Sequence, residues 1–248
     1  MKKIIVLFIV SVLMISCDTI NINPTDYGKL SFGNKQLTGI IQNGKLTTEI
    51  KYDSKNRISE INRYYEGKIS GKETFKYNTS NQVIEHISNE TRIDYYTYKD
   101  GKLSEMLSVN TPNPDWKIKL VYKYHNNRIE SADKYSEDKL IAKIQFEYDK
   151  NGNTTSRKEI SGSYVNEEYR CTYDEKPNPF HDPMYYPLDI IQKNNIITTF
   201  HYAVFMSSLP TEFGIEYTYN SGKCPTTAIK RNMTYPAYET DSFTYIYK

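Results

Sequence analysis

Apolar and polar side chains alternate every second residue through most of the chain. In Thr48-Glu49-Ile50-Lys51-Tyr52 the charges fall on one face and Thr48, Ile50 and Tyr52 on the other. Leu120, Tyr122 and Tyr124 oppose Lys119 and Lys123 in the same way, and Ile144, Phe146 and Tyr148 oppose Gln145 and Glu147. Alternation rich in Tyr, Phe, Ile and Thr predicts strands with one buried face. No window longer than about ten residues keeps a helical period. Asn43-Gly44 suits a two-residue hairpin, and Asp100-Gly101, Asn151-Gly152 and Ser221-Gly222 mark further turns.

The strands are organised by a repeat. Segments ending in Tyr52, Tyr77, Tyr98, Tyr124, Tyr148, Tyr173 and Tyr219 align at spacings of 25, 21, 26, 24, 25 and 46, the last close to two periods. Phe243-Thr244-Tyr245 follows 26 residues later as the expected final copy. After most copies comes a turn and then a basic or amide residue with an aliphatic one: Asn56-Arg57-Ile58, Asn81-Gln82-Val83, Gly101-Lys102-Leu103, Asn127-Arg128-Ile129. Such a period fits two short strands and two connections. Nine periods predict an all-β, antiparallel, up-and-down meander of about 14–18 strands, strongly curved or closed into a barrel.

Two stretches interrupt the pattern. Pro177-Asn178-Pro179-Phe180-His181-Asp182-Pro183 forbids a regular ladder, because proline fixes φ and lacks the donor. Thr111-Pro112-Asn113-Pro114-Asp115-Trp116 reads as a long loop with the single tryptophan. Loops on a rigid sheet are where binding residues gather, so Trp116, His181, Tyr185 and Tyr186 are the candidate binding residues. Packing of Trp116 on the sheet end and solvation of His181 are the competing readings.

The front of the chain is an address. Lys2 and Lys3 precede the apolar run Ile4–Ile15, too short at about 18 Å of helix to cross a bilayer. Leu13-Met14-Ile15-Ser16-Cys17 resembles the bacterial lipobox, with Met14 as a departure. The resemblance implies a leader over residues 1–16, lipidation of Cys17, and membrane attachment through several acyl chains. Residues 17–29 are polar and turn-rich, a lipidated tether, and residues 30–248 a single β-repeat domain. Asp18-Thr19-Ile20 resembles the short O-glycosylation sequon of Bacteroidetes secreted proteins. Loss of the leader takes Lys+Arg from 32 to 30, equal to the 30 acidic residues. A balanced chain has no electrostatic footprint for nucleic acid. Aromatics at 14%, 24 of them tyrosines, and a mean hydropathy of −0.69 exclude both a disordered chain and a helical membrane protein.

Tyr52-Asp53-Ser54-Lys55-Asn56-Arg57-Ile58 resembles the YD repeats of secreted toxin and adhesion shells. A wider set is similar to a Bacteroidetes family of secreted lipoproteins, a domain of unknown function with a porin-like β fold. That set is Tyr173-Asp174-Glu175-Lys176-Pro177-Asn178-Pro179-Phe180, Gln192-Lys193-Asn194-Asn195 and Tyr217-Thr218-Tyr219-Asn220. The resemblance covers about residues 30–248. It implies display in the cell envelope, at the outer membrane, on the periplasmic or the surface side. It carries no catalytic residues. Asn replaces Gly in many turns, which leaves turn type open but not strand order.

Little else points to chemistry. His86, His125, His181 and His201 show no metal spacing, and no nucleophile elbow, phosphate loop or Cys-x-x-Cys occurs. The expectation is no enzyme, no cofactor and no metal. Cys171 and Cys224 form a possible disulfide in an oxidising compartment, or two buried thiols; about two strands between them strain the ~7 Å bridging limit. Strands of five to eight residues fall short of the ~9–11 that a membrane-spanning barrel needs. Three functions remain: a lipid-anchored structural or binding module, a glycan- or partner-capture protein, and an envelope hydrolase.

Overall fold

The computed structural model describes residues 31–32, 35–178, 194–204, 210–235 and 240–248. Seventeen strands occur in this order: β1 Ser31–Phe32, β2 Lys35–Gln42, β3 Lys45–Tyr52, β4 Ile58–Tyr65, β5 Lys68–Tyr77 and β6 Val83–Ser88. Next are β7 Arg92–Lys99, β8 Lys102–Asn110, β9 Lys117–His125, β10 Arg128–Ser136, β11 Lys139–Tyr148 and β12 Thr154–Ser161. β13 Tyr164–Pro177, β14 Asn194–Ala203, β15 Thr211–Tyr219, β16 Pro225–Asn232 and β17 Thr240–Tyr247 complete the chain. No α-helix occurs among the described residues. Each strand from β2 to β17 pairs antiparallel with the next, and β17 returns to β2, setting Thr244 opposite Ile41 and Tyr245 opposite Ile40. Sixteen strands therefore form a closed up-and-down barrel, and β1 is a short addition beside β2. Closure removes the sheet edges that would otherwise recruit other chains.

The two ends of the barrel are built differently. At one end short turns join most of the described even strands to the next odd one, while the longer loop 111–116 joins β8 to β9. Asn43-Gly44 (φ 50° and 78°) and Glu137-Asp138 (48° and 61°) have both central residues at positive φ, the conformation that matches strand twist. The other end carries the repeat. Tyr52 Oη donates to the Leu37 carbonyl at 2.7 Å, Tyr77 to Ile58 at 2.6 Å, Tyr98 to Val83 at 2.7 Å and Tyr124 to Leu103 at 2.8 Å. Tyr148 donates to Ile129 (2.8 Å), Tyr173 to Thr154 (2.6 Å), Tyr217 to Ile196 (3.1 Å) and Tyr247 to Pro225 (2.8 Å). One tyrosine thus latches each of eight hairpins, tying the end of an odd strand to the start of its even partner.

The rest of the repeat serves the latch. The acid or amide after the tyrosine folds the connection: Asp53 Oδ1 accepts from the amides of Lys55 and Arg57, and Asn78 Oδ1 from those of Ser80 and Gln82. Asp149 and Asn220 accept likewise from Asn153 and Cys224. The basic residue then lies over the next latch ring: Arg57 over Tyr77 at 4.3 Å, Lys102 over Tyr124 at 5.4 Å and Arg128 over Tyr148 at 5.7 Å. The aliphatic residue points inward and offers its carbonyl to that same tyrosine. Each latch hydrogen bond contributes about 1 kcal/mol. Burial pushes the Tyr52 hydroxyl up to about 12, so these donors keep their protons.

A bulge follows the inward residue near the start of most even strands, for example between Ile129 and Ser131, or opposite Lys51/Tyr52. It turns positions three apart to the interior: Ile58 with Ile61, Val83 with His86, Leu103 with Met106, Ile129 with Ala132. The core between Leu37 and Ile144 is filled by these side chains with Ile50, Phe75, Tyr96, Leu120, Tyr122 and Ile144. Three expectations need correction. Most strands run eight to ten residues rather than five to eight, and β13 has 14. The last latch is Tyr247, not Tyr245, because the register slips after Ile246. Among the described residues eight hairpins close the wall rather than nine periods, because the 46 residues from Tyr173 to Tyr219 add one hairpin, β14–β15, where the spacing suggested two.

Candidate functional site

Towards the tight-turn end the barrel interior changes from apolar to charged. His86 on β6 faces Asp94 on β7, and Asp94 faces Ser108 on β8. The His86 Nε2 lies 3.1 Å from Glu73 Oε2 and its Nδ1 3.4 Å from Asp94 Oδ2. Two carboxylates on the two ring nitrogens require both nitrogens to donate, which is the imidazolium state. Burial works against that charge, but Asp94 and Glu73 outweigh it and hold His86 above the ordinary histidine value. Burial also opposes ionisation of both acids. His86 and Arg63 nevertheless hold Glu73 below the usual carboxylate range, and His86 and Arg92 do the same for Asp94. Arg63 bridges Glu73 (3.2 Å) and Thr48 Oγ1 (3.1 Å), Arg92 reaches Asp94 at 3.2 Å, and the Phe75 ring stacks on His86 at 4.7 Å. The result is a chain of alternating charges across four strands, β4 to β7.

A second group lies further round the same end. Arg157 Nη1 donates to Glu167 at 3.1 Å, Tyr169 Oη donates to the same carboxylate at 3.0 Å, and His201 stacks on Tyr169 at 4.1 Å with Nε2 3.3 Å from Glu167. Glu159 is the direct cross-strand partner of Glu167, and Lys134 Nζ holds it at 2.8 and 2.9 Å. Two facing carboxylates are a hydrolase motif in outline. Here each is engaged by its own cation. Among the described residues no group of three or more His, Cys, Asp or Glu is arranged to hold a metal ion.

The outer wall carries charge at mid-strand height. Glu60 lies between Lys51 (2.7 Å) and Lys72 (2.8 Å), whose hydrogen bonds bring its carboxyl down to about 2. Lys76–Glu85, Lys123–Asp133 and Lys158–Glu168 continue the pattern. A membrane-spanning barrel needs an apolar band about 25 Å tall on this surface. No helix among the described residues is long and apolar enough to cross a membrane.

Of the residues named from sequence, Trp116 lies in the β8–β9 loop, 50% exposed, its amide bonded to the Asn113 carbonyl and its carbonyl to the Asn110 amide. A shallow notch of about 240 Å³ opens beside it, lined by Leu107, Asp115, Lys117, Lys119, Tyr135, Glu137 and Asp138. Cys17, His181, Tyr185 and Tyr186 lie outside the described residues. The possible disulfide is not formed: Cys171 and Cys224 are free thiols. β14 and β15 separate their strands, and three ladder spacings of about 4.8 Å exceed bridging range. Arg63, Glu73, His86, Asp94, Arg157 and Glu167 carried no sequence signal as a group. Strict alternation puts Ile58 and Arg63 on opposite faces, and only the bulge unites them.

No family model matches the chain, and no curated protein matches it. Solved structures do. A porin-like protein from Bacteroides uniformis ATCC 8492 superposes with a TM-score of 0.52 at 14% identity, over 81% of this chain and 89% of that one. A porin-like protein from Bacteroides vulgatus ATCC 8482 gives 0.51 at 10% identity, over 85% and 98%. The fold is therefore a porin-like closed β-barrel. In this chain that wall encloses a packed tyrosine end and bears ion pairs on its outside.

Proposed function

We propose that the protein is a lipid-anchored cell-envelope module, held to the outer membrane through Cys17, with no catalysis of its own. The supporting observation is the distribution of charge. Lys51, Glu60, Lys72, Lys123, Asp133, Lys158 and Glu168 occupy the outer wall, while Leu37, Ile58, Ile61, Val83 and Leu103 fill the inside of the tyrosine end. Such a barrel is a rigid display scaffold rather than a conduit. Mass spectrometry of the N-terminal peptide from membranes should find Cys17 acylated, and Cys17→Ala should release the protein into the soluble fraction. The purified chain should add no conductance to planar bilayers. Unmodified Cys17, or stable channels, would remove this reading.

A second reading, capture of a glycan or an envelope protein, is favoured by Trp116 beside the notch at Lys117, Lys119 and Tyr135. Glycan-array or pull-down binding lost in Trp116→Ala and Tyr185→Ala would support it, and binding unchanged in both would end it.

A further inference from the structure

The inner surface of the barrel is unevenly covered. A barrel of about eight strands is just filled by its own side chains, whereas one of about sixteen leaves an aqueous space. This wall has sixteen strands, and from β2 to β11 inward side chains such as Ile50, Ile61, Phe75, Leu103 and Leu120 bury one another. On β15 the inward Phe213 and Ile215 are only half-buried, and belong neither to that core nor to the rings packed against it. The ladder fixes their direction. Core Ile40 faces Tyr245, and Phe243, two residues before it, faces Ala228. Ala228 in turn faces Tyr217, whose strand carries Ile215 and Phe213 on the same side. The wall is closed, so the solvent that touches these two side chains lies inside the barrel.

We infer that this stretch of the lumen binds a small amphipathic anion, a fatty acid or an aromatic acid by chemistry. The inference goes beyond the proposed function and holds whether or not Cys17 is acylated. Three observations select that class of ligand. A closed wall admits only what can enter through an end of the barrel, which excludes a folded protein surface. The half-buried Phe213 and Ile215 gain by leaving water, and so favour an apolar body against them. The third observation is a cation. Lys230 on β16 faces Ile215, and its Nζ lies 4.1 Å from the centre of the Phe213 ring. Arg63, Arg92, Lys134 and Arg157 each hold a carboxylate. Among the described residues none pairs with Lys230: Asp241, its cross-strand neighbour, accepts instead from the Asn43 side-chain amide at 2.9 Å. An apolar strip beside an inward ammonium suits a ligand with one anionic head.

Anilinonaphthalene sulfonate, a fluorescent amphipathic anion, should bind the folded chain saturably and be displaced by dodecanoate. Lys230→Gln and Ile215→Ser should each weaken binding about tenfold, the ratio for losing one charged contact or one large apolar group. Ile69→Ser, on the exposed outer side of β5, should leave it unchanged. Access to the lumen is read separately with Ile215→Cys in a chain carrying Cys171→Ser and Cys224→Ser. The thiol at position 215 should react with a small maleimide and be protected by dodecanoate. Absence of saturable binding overturns the inference. Equal loss in Ile69→Ser also overturns it, placing the probe on the outer wall. An unreactive thiol would mean that the space is filled. Reaction only after residues 178–193 are replaced by a glycine–serine linker would give the space to the chain's own connection. Either result removes the site.

Discussion

Strands β2 to β11 and strands β12 to β17 share one ladder but not one interior. The contiguous buried core runs from Leu37 to Ile144, and the later strands add the partly buried rings Phe243, Tyr245 and Tyr247 packed against it, with small buried side chains such as Ala203 and Ala228. On β14 and β15 the inward Thr199, His201, Phe213 and Ile215 stay half-exposed. The difference follows the repeat. In the first region the latch tyrosine immediately precedes the turn, with its acid or amide cap in Tyr52-Asp53 and Tyr77-Asn78. After the long connection at 178–193 the latch is Tyr217, two residues early, and Tyr219 instead bonds the Asp174 carboxylate while Asn195 ties Asp174 to the Lys176 carbonyl. Regular hairpins fill their side of the barrel with large buried side chains; the slipped one sets half-exposed ones there.

Perturbing matched positions should sharpen that contrast, measured by denaturant unfolding. The largest effect is expected from Glu73→Ala, which takes one of its two carboxylates from the buried His86 and the Glu73 ion pair from the half-buried Arg63, and should cost about 3–5 kcal/mol. His201→Ala removes a more exposed ring and leaves Glu167 paired with Arg157, so it should cost below about 1 kcal/mol. Next, Ile61→Ala should cost about 2–5 kcal/mol, since Ile61 is fully buried, against below about 2 kcal/mol for the half-exposed Ile215→Ala. Equal costs in the two regions would contradict the comparison. Removing a latch hydroxyl comes third: Tyr77→Phe should cost about 1 kcal/mol and Tyr217→Phe, at its longer distance, less.

The smallest effect is a pH dependence. His86 is held above its unfolded value, so its contribution is complete below the ordinary histidine pKa and fades as pH rises through the folded one. Glu73 and Asp94 are held below theirs, so their contribution is present above the ordinary carboxylate range and is lost as pH falls. His86→Gln should flatten the alkaline limb of the stability profile. An unchanged alkaline limb would mean that His86 is not the group titrating.

Strand order, the repeat and the aromatic inner face were legible because the period of two survives along the odd strands, as at Thr48, Ile50 and Tyr52. On the even strands the bulge converts it to a spacing of three. Arg63, His86 and Arg157 therefore could not be assigned inward, and the charged interior went unread. The role of Arg57 was equally hidden, because its stacking partner Tyr77 lies one repeat away. Trp116 was correctly placed on a long exposed loop. The disulfide considered between Cys171 and Cys224 failed on the two intervening strands, which the repeat count already implied.

The claim on which the rest stands is closure of the first full strand against the last. Ile41 and Thr244 are outward-facing ladder partners on β2 and β17, at the Cα separation a disulfide accepts. An Ile41→Cys/Thr244→Cys chain, with Cys171→Ser and Cys224→Ser to remove competing thiols, should form an intramolecular crosslink in high yield under mild oxidation, leaving the monomer compact and more resistant to denaturant. Free thiols at both positions, or crosslinks only between molecules, would mean that the sheet is open and the barrel account wrong.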